Sequence, residues 1–250
     1  MILIFCAFGA ELQPLRALLR DPTPLPGKEL RVFQGHAGRS EVTLIASGVG
    51  VRRAERAAAV ALQRLSAVEQ IITTGVAGAL HADLPIGRVV LADRLMVRRG
   101  EEFAAEAEVE APVAERQTLA SALNAARIPF AIGPLLTSRR AIAGVEDKRR
   151  AHEALGAIAV DMESALIALE AARRGLRFVC LRTIMDTATE RIDGAQLAGE
   201  NGRVLPLAAA AALLTQPRLV LASIKLVRNL RAATRCMVDA VAVALNATNA

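Results

Sequence analysis

The chain has 250 residues, 53% of them apolar, against roughly 45–50% in an average globular protein; that length suits one large α/β domain with a sizeable core better than two small ones. A net charge of +6 favours anionic partners such as phosphate or acidic lipid, whereas the lack of Trp and Tyr, with only 6 Phe, argues against a single-stranded nucleic-acid binder, which needs stacking aromatics. Cys6, Cys180 and Cys236 are scattered among apolar neighbours and read as reduced core thiols, while His36, His81 and His152 lack ligand-like spacing, so no metal site is expected.

In chain order, the continuous apolar run Ile2–Ala7 reads as a buried first strand. It lacks the basic start of a signal peptide, and Glu11 interrupts it early. Glu11–Leu19 has a helical pattern. Arg31–Gln34 and Glu41–Ala46 read as an antiparallel pair around the turn 35–40, which predicts a mixed sheet. Gly48-Val49-Gly50 leads into a helix over Arg52–Leu65. Gln70–Thr73 is a buried strand closed by Gly75-Val76-Ala77-Gly78. Arg88–Ala92 follows as a strand, then a helix over Gln117–Ala126. Phe130–Leu136, Ala157–Val160 and Phe178–Thr183 are further strands, with a helix over Ser164–Arg174 stopped by Gly175. This alternation predicts a three-layer α/β/α sandwich around a mixed, twisted central sheet.

The character changes near residue 206. Residues 1–205 are read as the catalytic domain and 206–250 as a helical extension. Placed on a helical wheel, Arg218, Lys225, Arg228, Arg231 and Arg235 share one arc, and Leu219, Leu226, Leu230, Ala233, Met237 and Val241 fall opposite. Such an amphipathic helix either docks on the domain with a solvated basic face or lies on anionic lipid. The longest uncharged run, near Val204–Gln216, is too short to span a bilayer, so a cytoplasmic protein is expected, at most attached to the inner face of the cytoplasmic membrane.

Chemistry is concentrated at strand ends. Glycines following strands, at Ser47-Gly48-Val49-Gly50 and Thr74-Gly75-Val76-Ala77-Gly78, let a backbone approach an anion or a sugar, although a tight βα turn accounts for either one alone. In Asp161-Met162-Glu163-Ser164, two carboxylates open a helix where open α/β sheets bind ligands; capping alone could explain Asp161. Asp186 follows the apolar Ile184 and Met185, and burial there would raise its pKa toward a general acid's range; otherwise it is an exposed loop aspartate. Glu11 stands where the first strand meets the first helix. Arg52 and Arg53 open the helix after Gly50 as phosphate ligands or as solvated surface charges.

Taken in order over about residues 1–200, these segments resemble the nucleoside phosphorylase and nucleosidase superfamily, with methylthioadenosine/adenosylhomocysteine nucleosidases and the hopanoid-associated phosphorylase branch nearest. The basic C-terminal helix favours the latter, whose substrate is adenosylhopane, a membrane-embedded nucleoside. The resemblance implies cleavage of a purine–ribose C–N bond, with Asp186 protonating the purine and Glu11 orienting or deprotonating a water. It implies substrate contacts from Glu163, Met162, Ile142, Phe8, Val76 and Gly48. It also implies no cofactor, phosphate as a candidate co-substrate, and a homo-oligomer, at least a dimer. A soluble methylthioadenosine/adenosylhomocysteine nucleosidase, or another purine nucleoside phosphorylase, is the alternative; a non-catalytic nucleoside-binding protein is a third reading. Two departures stand out: Met185 replaces the serine common before the aspartate, and Val76 replaces a serine or threonine.

Overall fold

The computed structural model describes residues 1–26, 30–98, 103–192 and 217–248, with only the backbone of 217–223. The domain boundary at 205/206, the run 204–216 and the side chains of Arg218 and Leu219 lie outside the described residues. In chain order the elements are β1 (Ile2–Cys6), α1 (Gly9–Arg16), β2 (Arg20–Leu25), β3 (Arg31–Ala37), β4 (Ser40–Ala46), α2 (Val51–Arg64), β5 (Gln70–Ala79), β6 (Val89–Arg98), β7 (Ala107–Glu110), α3 (Val113–Ala125), β8 (Phe130–Ser138), α4 (Val145–Leu155), β9 (Ala159–Asp161), α5 (Ser164–Arg173), β10 (Arg177–Asp186) and α6 (Pro217–Thr248).

All ten strands join one mixed sheet. The parallel pairs β4–β1–β5–β10 form its middle, and β3 and β2 extend it antiparallel at one edge. At the other end β5 pairs both β10 and β9, and β6 and β8 close the path between those two, so this end of the sheet curls into a ring. Alternation along β1 shows how the layers arise. Leu3 and Phe5 point into the core under α2 and α5, while Ile2, Ile4 and Cys6 point into the core under α1, α3 and α6. Helices therefore cover both faces, as an α/β/α sandwich requires.

The strand expected over Gln70–Thr73 continues to Ala79, so Gly75-Val76-Ala77-Gly78 is strand rather than turn. The glycines serve close approach from the neighbouring strand. Gly75 stands opposite Arg182 and Gly78 opposite Asp186. A Cβ at Gly75 would overlap the Arg182 guanidinium and lie 2.7 Å from Glu11 Oε1; one at Gly78 would lie 3.0 Å from Asp186 Oδ2.

The C-terminal helix is divided in its packing. Met237, Ala240, Val241, Ala244 and Leu245 belong to the core on the α1/α3 face, and Thr248 Oγ1 donates to Gln70 Oε1 at 3.0 Å. Lys225, Arg228, Arg231 and Arg235 are exposed, as the wheel predicts. Leu226, expected on the buried arc, is instead 38% exposed, and Ile224 and Val227 beside it are exposed too. Among the described residues, no helix is long and apolar enough to cross a membrane.

Candidate functional site

A cleft of about 160 Å³ opens where β1, β5, β9 and β10 end. It is lined by Phe8, Glu11, Val76, Ile142, Met162, Glu163 and Asp186, together with Val49, Gly78 and Met185. Gly48, expected at the same site, lines a neighbouring cavity instead. Its φ of 80° is a left-handed value that favours glycine, and the Arg53 side chain lies 2.8 Å from where a Cβ would sit.

Asp186 is the last residue of β10 and is buried, not an exposed loop aspartate. The register with β5 shifts between Ile184 and Asp186, and this irregularity sets Asp186 directly against Gly78. Burial raises its pKa, and the Lys148 ammonium opposes that rise. Lys148 is fully buried on α4, with Nζ 2.5 Å from Asp186 Oδ2. The same ammonium donates to the carbonyls of Thr187 and Glu190, each at 2.8 Å, so one cation holds both the carboxylate and the loop that follows it. Sequence reasoning gave Lys148 no role, because α4 is a charged segment, VEDKRRAHEAL, that lacks an apolar stripe to mark a buried face.

Glu11 is fully buried in the first turn of α1. Its Oε2 accepts the Ala7 amide at 2.7 Å and the Phe8 amide at 3.4 Å, and its Oε1 accepts the Val76 amide at 2.8 Å. Burial pushes its pKa up, against the pull of Arg182 and of these three amides. Val76 therefore contributes its backbone where a hydroxyl side chain would have been expected to act.

Glu163 precedes α5. Its Oε1 accepts the Gly50 amide at 2.8 Å, so the Gly48-Val49-Gly50 turn positions a carboxylate. Burial, followed by the neighbouring Asp161, pushes its pKa up to about 8, while Arg182 works in the opposite direction. Asp161 is not the N-cap of α5, a position Glu163 holds; it ends β9, where it accepts the amides of Glu163 at 3.3 Å and Ser164 at 3.1 Å and the Thr137 hydroxyl at 2.6 Å.

Arg182, in the middle of β10, is the centre of this acidic group. Its Nη2 lies 2.7 Å from Asp161 Oδ2 and 3.7 Å from Glu163 Oε2, and its Nε donates to Ser164 Oγ at 2.9 Å. Burial opposes its charge, and the surrounding carboxylates keep it protonated. Nη1 makes no hydrogen bond among the described residues and lies over Gly75 with Glu11 Oε1. A buried donor of this kind, next to a carboxylate, can hold an oxygen ligand. Among the described residues, no group of His, Cys, Asp and Glu is placed to hold a metal ion.

The phosphorylase superfamily model matches residues 1–216. The chain belongs to that superfamily. Among curated proteins, this superfamily member is 35% identical over 92 residues to the 5'-methylthioadenosine/S-adenosylhomocysteine nucleosidase of Aeromonas salmonicida, a match spanning 37% of this chain and 40% of that protein. It is 23% identical over 204 residues to the nucleosidase of the same name from Staphylococcus epidermidis, covering 77% and 89% of the two chains. Among solved structures, the S-adenosylhomocysteine nucleosidase of Streptococcus pyogenes in complex with 5-methylthiotubericidin superposes with a TM-score of 0.77 at 23% identity, over 98% of this chain and 95% of that one. At that identity the structural likeness speaks for the fold.

Proposed function

We propose that this phosphorylase-superfamily chain cleaves the purine–ribose C–N bond of 5'-substituted adenosines of the methylthioadenosine or adenosylhomocysteine kind, with water as the nucleophile, acting in the cytoplasm as a homo-oligomer. The observation that carries this reading is the convergence of Asp186, Glu163 and Glu11 on one cleft, each carboxyl with its pKa raised by burial.

The chemistry follows from those positions. C–N cleavage passes through an oxocarbenium-like state, which calls for an acid on the leaving base and negative charge near the sugar. Protonated Asp186 gives its proton to N7 of the purine, and the C1'–N9 electron pair leaves with the base. Glu163 accepts hydrogen bonds from the ribose hydroxyls. Glu11, made more basic by burial, takes a proton from water as its oxygen bonds to C1'. The products are adenine and the 5'-substituted ribose.

A second reading rests on α6. Ile224, Leu226 and Val227 are exposed beside Lys225 and Arg228, a mixture of apolar and basic side chains suited to an anionic lipid surface. It would make the substrate membrane-borne, as adenosylhopane is. The test is adenine release from methylthioadenosine in solution and from adenosylhopane in liposomes, each with and without phosphate, alongside Asp186→Asn. Release from methylthioadenosine without phosphate, falling by about 10²–10⁴ in the variant, is the expected result. Release from the liposomes alone would favour the lipid reading, and undiminished turnover by Asp186→Asn would overturn the assignment of the acid.

A further inference from the structure

The segment that follows Asp186 is tied down at several points. Residues 187–192 run from the end of β10 back to the cleft wall at Ile192, whose amide donates to the Ala143 carbonyl at 3.1 Å. Within it the turn 187–190 closes on itself. The Glu190 amide donates to the Thr187 carbonyl at 3.2 Å, and Glu190 Oε2 accepts the Thr187 amide at 3.4 Å.

Glu190 is where two cations reach this turn. Its carbonyl accepts from Lys148 Nζ at 2.8 Å, and its Oε1 pairs with Lys225 Nζ at 2.7 Å. An ammonium has three N–H donors, and Lys148 spends all three on Asp186 Oδ2 and the carbonyls of Thr187 and Glu190. The cation facing the acid is therefore placed by the two carbonyls of the turn, and a shift of Glu190 would carry Lys148 with it and alter its approach to Asp186.

Lys225 brings in a distant part of the molecule. It stands on α6 one turn before Asn229, which is buried, and the same helix continues through Met237 to Leu245 in the core on the α1/α3 face. The side chains of Lys225 and Glu190 are 51% and 26% exposed. An ion pair so accessible to solvent contributes little to stability. Its consequence is positional, because it fastens the turn beside the acid to a helix rooted in the core.

We infer that Lys225 is a positioning residue for the reaction: through Glu190 it holds the turn 187–190 and, with it, keeps Lys148 and Asp186 aligned on the purine. The inference rests on the reading of Asp186 as the acid of a nucleosidase.

The experiment measures kcat and KM for adenine release from methylthioadenosine by the wild type, Lys225→Met and Lys225→Arg. Arg228→Gln, which removes an exposed cation three residues farther along α6, is the control. Misplacing a reacting group by about 1 Å costs up to about 10²-fold. Lys225→Met is therefore expected to lower kcat roughly 10–100-fold with KM nearly unchanged, the pattern of an interaction that matters only in the transition state. Lys225→Arg keeps a charge for the same carboxylate and recovers most of the loss, and Arg228→Gln behaves as the wild type. In an Asp186→Asn background, Lys225→Met costs nothing further, since residues that act as a unit are not additive. Wild-type kcat in Lys225→Met, an equal fractional loss in both backgrounds, or a loss that arginine does not recover overturns the inference.

Amide hydrogen exchange reads the same anchor without turnover. The amides of Thr187, Glu190 and Ile192 should exchange faster in Lys225→Met while those of β10 do not. Unchanged exchange at the turn, or equal acceleration throughout β10, would overturn the anchor. Faster exchange confined to residues 187–192, beside a wild type that releases no adenine, would overturn the nucleosidase reading and leave the anchor standing.

Discussion

Asp186 is subject to opposed influences, burial that favours its neutral form and Lys148 that favours its carboxylate. The balance matters for a general acid, which must carry a proton at working pH yet release it readily. Removing the ammonium removes the lowering influence, so Lys148→Met should raise the Asp186 pKa and move the alkaline limb of the kcat profile to higher pH. A lysine that merely braced the fold would lower the plateau and leave the limb in place, and a pH–rate series on the two enzymes distinguishes these outcomes. The candidate site was legible in the sequence wherever a carboxylate stood at a strand end, as Glu11, Glu163 and Asp186 do. Lys148 was not legible, because what buries it is the loop after β10 that it binds through two carbonyls, a contact spanning about forty residues. Arg182 lies four residues before Asp186 on the same strand, yet its role depends on its lying opposite Gly75, which only strand register fixes. Gly48 lines the adjoining cavity rather than the cleft, and its neighbour Gly50 is the one tied to the cleft, by holding Glu163.

At the scale of elements, continuous apolar runs identified the central strands, and these are the strands that carry the site. β2, β7 and α4 escaped notice. β2, with Pro22 and Pro24 in RDPTPL, lacks a strand's usual composition and survives at the sheet edge, where missing amide donors are tolerated. β7, AEVE, is a four-residue strand paired only to β6. α6 shows how packing redistributes an amphipathic pattern: its C-terminal half closes the core, while Ile224, Leu226 and Val227 remain exposed. Deleting residues 218–250 would therefore strip the cover from Ile72, Val89, Leu91 and Val179 and would confound any test of lipid binding with unfolding. Point variants separate the two effects. Leu245→Ala, which opens a void in that core, should cost about 2–5 kcal/mol. Ile224→Gln, on the exposed part, should stay within about 0.5 kcal/mol. Urea denaturation of the two variants beside the wild type checks both figures; equal losses would mean that the helix packs along its whole length.

The whole molecule carries the thermodynamic consequence of concentrating carboxyls in a dry cleft. Glu11, Glu163 and Asp186 all have folded-state pKa values raised chiefly by burial, so each binds its proton more tightly folded than unfolded. Between its unfolded and folded pKa values, each makes the folded state hold more protons than the unfolded one, so stability falls as pH rises through that window. For Glu163 the window runs from the ordinary 4.5 to about 8. Exposed acids such as Glu69 and Glu146 are shifted the other way by ion pairing, and their contribution is lost as pH falls, but solvent screens them and they weigh little. The buried group therefore sets the sign, and thermal stability should decline from about pH 5 to about pH 8. Glu163→Gln keeps an acceptor for the Gly50 amide and removes the titration. Its melting temperature should match the wild type near pH 4 and exceed it near pH 8, while turnover is lost. Parallel melting curves for the two proteins across that range would show that Glu163 ionises without cost, leaving the decline to Glu11 and Asp186. Divergence toward pH 8 would show that the charge placed for a sugar's hydroxyls is held at the expense of the fold around it, the balance expected where a site is tuned for chemistry rather than for stability.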